Sequence, residues 1–265
     1  MPKVALESGL TLSFSDQGDS AGPVVLMLPG PTDSWRSYQP VFDLLPQQIR
    51  AIAVSQRGHG DSDKPDANYA IADFAADIVP LLDALDIEQA VLTGHSGSCF
   101  VARSVALDHP ERVAGLILEA SPTALHNNAK AVEFIDSVIA NLNDPIRPDF
   151  ARSFVADTSS ETLPAKLVDL FVDELLKVPA GVWKDTFAGL LQYDDMTRLA
   201  LITAPTLLVW GEADGLVSRE MQDQLLRMIP DAELVVYPAA GHTPRWDNPV
   251  RFTRDLVRFA RHVSP

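Results

Sequence analysis

Leu10 to Ser15 (LTLSFS) alternates apolar and polar residues, the period of a half-buried strand. Val24 to Leu28 (VVLML) is apolar at every position, as in a strand whose sheet is covered on both faces. Ile49 to Val54 (IRAIAV), Ala90 to Leu92, Val113 to Leu118 (VAGLIL), Thr206 to Trp210 (TLLVW) and Leu234 to Tyr237 (LVVY) repeat that signature. Between these runs the period changes to that of a helix. Ser34 to Leu45 spaces Trp35, Tyr38, Val41, Phe42 and Leu45 along one face, and Ile71 to Leu85 does the same with Phe74, Ile78, Leu81, Leu82 and Leu85. Ser98 to Asp108, Arg219 to Met228 and Pro249 to Val263 complete the helices. Pro249 suits a first helical position, where its missing N–H costs nothing.

Strands alternating with helices predict an α/β fold: a mostly parallel sheet with helices on both faces. The rhythm breaks after Ser121-Pro122. From there through Leu199 the pattern is helical, which predicts a helical insertion lying over one end of the sheet. The expected division is a core of residues 1–121 and 200–265 with a cap of residues 122–199.

Composition narrows the function. A chain of 265 residues suits one large domain with an insertion. Its net charge of −15 argues against a nucleic-acid partner. No apolar stretch is long enough to span a bilayer, so no membrane partner is expected. The start, MPKVALESGLTLSFSD, lacks the basic and apolar regions of a signal peptide, so the expected location is cytoplasmic. Cys99 is the single cysteine, which excludes an internal disulfide and a cysteine-built metal site. Neither a phosphate-binding glycine loop nor a metal-ligand spacing occurs. The expected partner is a small-molecule substrate, with no cofactor and no metal; oligomeric state is left open.

In such sheets ligands bind at the carboxyl ends of the strands, so the residues just after each strand carry the chemistry. After the strand that begins at Ala90 comes GHSGS, with Ser96; after TLLVW comes GEADG, with Glu212 and Asp214; after LVVYPAA comes Gly241-His242. Serine, carboxylate and histidine thus fall on one edge of the sheet. Asp214 before Gly215 also fits plain turn chemistry, and His242 a structural loop histidine. Glu119, ending LILE, and Glu212 are rival acids.

GHSGS resembles the nucleophile elbow of the α/β-hydrolase superfamily, in its serine-nucleophile, esterase- and lactonase-like branch. The loop RGHGDSDKP at 57–65, the helical cap, the late acid and the final GH follow that pattern along nearly the whole chain. Ser98 stands where glycine is usual. The resemblance implies Ser96 as nucleophile, His242 as base and Asp214 as its orienting acid, acting on a small, fairly apolar ester or lactone. It also implies an oxyanion hole with one donor from the Gly97 backbone and one from the loop after VVLML. That loop reads Pro29-Gly30-Pro31-Thr32, and Pro31, at the second donor position, has no N–H. Thr32 is the expected substitute donor. Trp35, Trp183 and Phe187 are expected to line the substrate pocket. His59 and His95 read as scaffold, and Cys99 as inert. Two further readings share the fold: C–C hydrolysis or cofactor-free dioxygenation using the His–Asp pair as base, and a ligand receptor without significant turnover.

Overall fold

A computed structural model describes residues 2–159 and 163–264. Residues 160–162 of the expected cap lie outside the described residues. Eight strands form one sheet: β1 (Lys3–Ala5), β2 (Thr11–Gln17), β3 (Val24–Leu28), β4 (Arg50–Val54), β5 (Ala90–His95), β6 (Val113–Glu119), β7 (Thr206–Gly211) and β8 (Ala232–Tyr237). Their spatial order is β1-β2-β4-β3-β5-β6-β7-β8. β2 pairs antiparallel with β1 and β4, and every pairing from β4 through β8 is parallel.

The unbroken apolar runs have a direct cause. Along β3, Leu26 and Leu28 join one core while Val25 and Met27 join the other. Ile52 and Val54 alternate with Ala51 and Ala53 in the same way along β4. Each strand is therefore apolar on both sides. The first face is covered by α2 (Ile71–Ala76), α3 (Ile78–Ala84), α4 (Ser98–Asp108) and α9 (Arg219–Met228); the second by α1 (Gln39–Phe42) and α11 (Pro249–Val263).

Two expected helices are shorter than their periodicity suggests. The segment 34–45 is a 3₁₀ turn, Trp35–Tyr38, followed by one α turn, Gln39–Phe42. Pro40 sits at that new start, where its ring excludes continuation from the preceding turn. The segment 71–85 divides at Asp77 into α2 and α3. Pro80 cannot donate to Ala76, and Arg57 holds the Asp77 carboxylate through bonds of 2.6 and 2.7 Å. The short edge strand β1 carries too few residues for a periodicity signal.

Between β6 and β7 the chain forms α5 (Ala129–Ser137), α6 (Pro148–Ala156), α7 (Ala165–Leu175) and α8 (Ala180–Gln192), with no strand among the described residues. Phe134, Phe150, Phe154, Trp183 and Phe187 pack their rings together at its centre, with centroids 5.0 to 6.5 Å apart. Arg103, on α4, ties both ends of this excursion to the core. It donates to Pro122 O at 2.8 Å and to both Asp195 carboxylate oxygens at 2.8 Å. A short α10 (Pro244–Asp247) precedes α11. Among the described residues no helix is long and apolar enough to cross a membrane.

Candidate active site

Ser96 occupies the turn from β5 into α4 with φ +52°, a left-handed conformation that costs energy for any residue with a Cβ. The turn is tight because two small residues flank it. A Cβ on Gly94 would stand 2.6 Å from Ser98 O and 2.8 Å from the Cys99 backbone, and one on Gly97 would stand 2.6 Å from Leu190 and 2.8 Å from Pro31. Ser98 is small enough for its place, and it adds a bond glycine lacks. Its hydroxyl donates to Pro29 O at 2.5 Å and accepts from Gln56 Nε2 at 2.8 Å, fastening the loop after β3 to the elbow.

His242 arrives from the loop after β8. Its Nε2 accepts from the Ser96 hydroxyl at 2.9 Å, and its Nδ1–H donates to Asp214 Oδ2 at 2.9 Å. Asp214, after β7, has a fully buried side chain. Its other oxygen accepts from the backbone N–H of Leu216 at 2.8 Å and Val217 at 3.0 Å. One carboxylate thus does both things the sequence left open, shaping the turn and holding the histidine. β7 and the histidine loop meet closely because Gly211 has no side chain; a Cβ there would stand 2.1 Å from Gly241 O. With Nδ1 protonated by its contact to the acid, Nε2 is left as the acceptor facing the serine.

The rival acids lie elsewhere. Glu212 is exposed. Glu119 is completely buried and committed to Arg245, accepting from its backbone N–H at 2.8 Å and its Nη1 at 2.9 Å; burial raises its pKa. His95 donates from Nε2 to His242 O at 3.0 Å, and burial drives its pKa well below the ordinary range, so it buttresses the histidine loop as a neutral ring. His59 donates from Nδ1 to Arg57 O at 2.7 Å, with its pKa lowered to about 4 by burial. The buried Cys99 thiol is pushed up to about 12, a range in which no thiolate forms at neutral pH. Among the described residues no cluster of His, Cys, Asp or Glu could hold a metal ion.

A cavity of about 400 Å³ opens beside Ser96 and His242. Its walls are mostly apolar, from Phe134, Ile135, Phe154, Phe187 and Leu190 on the helices between β6 and β7, with Leu216 after β7 and Trp246 on α10. Phe187 is among the lining residues. Trp35 and Trp183 are not. Trp183 is fully buried and stacks behind Phe187 at 5.9 Å, and Trp35 packs edge-on against Phe42 beneath the sheet. Helical spacing puts a tryptophan on an apolar face, but whether that face meets a cavity or another helix depends on the partner.

Gly97 and Pro31 both line the cavity, with the Pro31 ring against Gly97. Thr32 does not; it is fully buried with φ +75°. The loop turns Thr32 inward and returns Asp33 to the cavity. Asp33 and Arg245 went unnoticed in the sequence. The available signal was the position of Arg245, three residues after the histidine, where any charge must be met by partners brought in from other strands.

Similarity to known proteins follows the same lines. The family described as alpha/beta hydrolase fold matches residues 23–249. A protein of Variovorax paradoxus named as a presumptive carbamate hydrolase, RutD, is 32% identical over 96% of this chain and 98% of its own. Est816, described as an N-acyl homoserine lactone degrading enzyme, superposes with a TM-score of 0.82 at 28% identity over 97% of this chain and all of its own. A thermophilic esterase from Thermogutta terrifontis superposes with a TM-score of 0.87 at 24% identity, covering 100% of this chain and 99% of its own, a likeness of fold.

Proposed function

The chain belongs to the α/β-hydrolase fold family, and on that premise we propose that Ser96, His242 and Asp214 are the nucleophile, base and orienting acid of a serine hydrolase acting on a small, fairly apolar ester or lactone. One observation carries this reading: the unbroken hydrogen-bonded chain Ser96–His242–Asp214, 2.9 Å at each link, opening onto an apolar cavity of about 400 Å³. Serine is a weak nucleophile until a base removes its proton. His242 takes that proton as Oγ attacks the acyl carbon, and Asp214 stabilises the imidazolium that forms. His242 then returns the proton to the leaving alcohol, and water releases the acyl group by the reverse sequence. The Gly97 backbone N–H, next to Ser96 in the cavity lining, serves as one oxyanion donor in this reading.

The cavity size suits a substrate of drug-like dimensions or less, since such sites are commonly about 300–1,000 Å³. Its apolar walls favour an acyl chain or lactone ring without formal charge at its centre. We read residues 122–199 as the cap that supplies most of those walls. The test is intact-protein mass after treatment with a fluorophosphonate, on wild type and on Ser96→Ala, followed by an ester and lactone panel. One adduct per wild-type chain, lost in the variant and accompanied by ester turnover, is the expected result. A folded wild type that takes no adduct would refute the nucleophile assignment and return base chemistry at His242, or ligand reception, to first place.

A further inference from the structure

An acyl-transfer site needs two donors aimed at the developing oxyanion, and losing one costs a factor of about 100 to 1,000 in kcat. Here the backbone offers only one of the usual pair. Pro31 stands against Gly97, its Cγ 2.8 Å from where a Gly97 Cβ would be, and its nitrogen carries no hydrogen. Thr32 turns into the core. The next residue of the loop, Asp33, shares the cavity lining with Ser96, Gly97, His95 and His242.

The surroundings of Asp33 favour its neutral acid. Two carboxyl groups converge on Arg245, and Glu119 holds it better, through the backbone N–H at 2.8 Å and Nη1 at 2.9 Å. Of the Arg245 donors Asp33 receives Nη2 alone, at 3.2 Å, and that group also donates to Ser37 Oγ at 3.1 Å; the Ser37 hydroxyl is the second hydrogen-bond partner of Asp33. The Glu119 and Arg245 side chains are fully buried, and that of Asp33 is 13% exposed. With both acids ionised the cluster would carry one uncompensated negative charge beside the place where the reaction creates another. A proton on the more weakly held acid removes it.

We propose that Asp33, as its neutral acid, donates the second hydrogen bond to the oxyanion, in the place left by the absent Pro31 N–H. The inference rests on the serine-hydrolase reading. As the Ser96 Oγ–carbon bond forms, the hydroxyl proton passes to His242 Nε2 and the carbonyl π pair becomes a lone pair on oxygen. That oxygen accepts from the Gly97 N–H and the Asp33 O–H. Collapse restores the carbonyl and expels the alcohol with the proton from His242, while Asp33 keeps its own proton throughout. Burial, the largest influence, raises the Asp33 pKa to about 6, with Glu119 adding to the rise and Arg245, Ser37 and His242 opposing it. His95, on β5, also faces the cavity and stays neutral. The active form of Asp33 therefore fades as pH rises past about 6.

The experiment measures kcat and KM for a neutral short-chain ester from pH 5 to 9 in wild type, Asp33→Ala, Asp33→Asn and the double variant Pro31→Ala/Asp33→Ala. Asp33→Ala should lose about 100- to 1,000-fold in kcat with little change in KM. Asp33→Asn keeps an N–H donor at every pH, so it should lie within about tenfold of wild type at pH 6 and exceed it by pH 8. The double variant regains a backbone N–H and should recover at least about tenfold over Asp33→Ala. Wild-type kcat in Asp33→Ala, Asp33→Asn as inactive as Asp33→Ala, or identical alkaline limbs in wild type and Asp33→Asn would each overturn the proposal. If Asp33→Ala fails to fold by circular dichroism, the wild-type and Asp33→Asn pH profiles decide. Fluorophosphonate labelling separates the two levels: a labelled wild type with an indifferent Asp33 overturns this inference alone, whereas an unlabelled, inactive wild type overturns the hydrolase reading.

Discussion

Replacing Arg103 by alanine should destabilise the protein by about 3 to 5 kcal/mol, the usual cost of stripping one partner from a buried ion pair. All three nitrogens of this guanidinium are engaged. Nε and Nη2 meet the Asp195 carboxylate at 2.8 Å each, and Nη1 meets Ser121 Oγ at 2.9 Å and Pro122 O at 2.8 Å. The ring of Phe100 lies 4.8 Å below it. Arg103 is 0% exposed and Asp195 2%, so truncation leaves a carboxylate in the interior with no water to solvate it. The variant also frees both ends of the 122–199 excursion from the helix that follows Ser96. Urea unfolding followed by tryptophan fluorescence measures the loss directly, and the melting temperature should fall by about 10 °C. Ester turnover should decline in parallel, because the walls of the cavity hang from those two ends. Arg103→Met/Asp195→Leu, which removes both charges and keeps the volume, should recover most of the stability. A cost below about 1 kcal/mol for Arg103→Ala, or a double variant no more stable than the single one, would show that the pair is not the tie described here.

Three further outcomes follow from the geometry. Asp214→Asn keeps the turn bonds to Leu216 and Val217 but cannot hold the Nδ1–H tautomer of His242, so kcat should fall about 10,000-fold with the melting temperature nearly unchanged; a fall under tenfold would return Glu119 to consideration. Phe187→Ala should widen the cavity and shift ester preference to longer acyl chains, whereas Trp183→Ala, behind it, should cost about 3 to 5 kcal/mol in urea unfolding. Asp33 has its folded pKa raised from 3.8 to about 6, so its contribution to stability is full below pH 3.8 and lost as pH climbs through 6. Asp33→Asn removes that dependence; its urea-unfolding advantage over wild type should grow between pH 4 and 6, by at most about 3 kcal/mol, and then level off.

The distinction between what the chain announces and what folding decides runs through particular residues. Runs such as VVLML and TLLVW state that a sheet is covered on both faces, because a strand apolar at consecutive positions has no wet side to offer. Chain order then places Ser96, Asp214 and His242 at the ends of parallel strands, and parallel strands bring those ends to one edge. Such inferences need only local period and topology. The breaks near Pro40 and Pro80 carry a local sign in the proline ring, but apolar spacing runs unbroken across both prolines and predicts continuous helices there.

Other features have no local sign. Whether Trp183 or Phe187 faces the cavity depends on how α8 is rotated against α5 and α6, and residues at helical spacing look alike until that rotation is set. Glu119 read as a possible acid because its place in the chain allows it, but Arg245, which arrives 126 residues later, claims it. Thr32 and Asp33 are neighbours, yet one is buried in the core and the other lines the cavity. A left-handed φ at Thr32 makes that choice, within a loop held by the Asp33 N–H bond to Gly30 O, by Ser98 and Gln56 on Pro29 O, and by Pro31 against Gly97. Sequence determined which chemical groups reach the edge of the sheet, since period and order are encoded residue by residue. The tertiary structure decided which of them meet, since a hydrogen bond depends on tenths of an ångström that only the assembled core can fix.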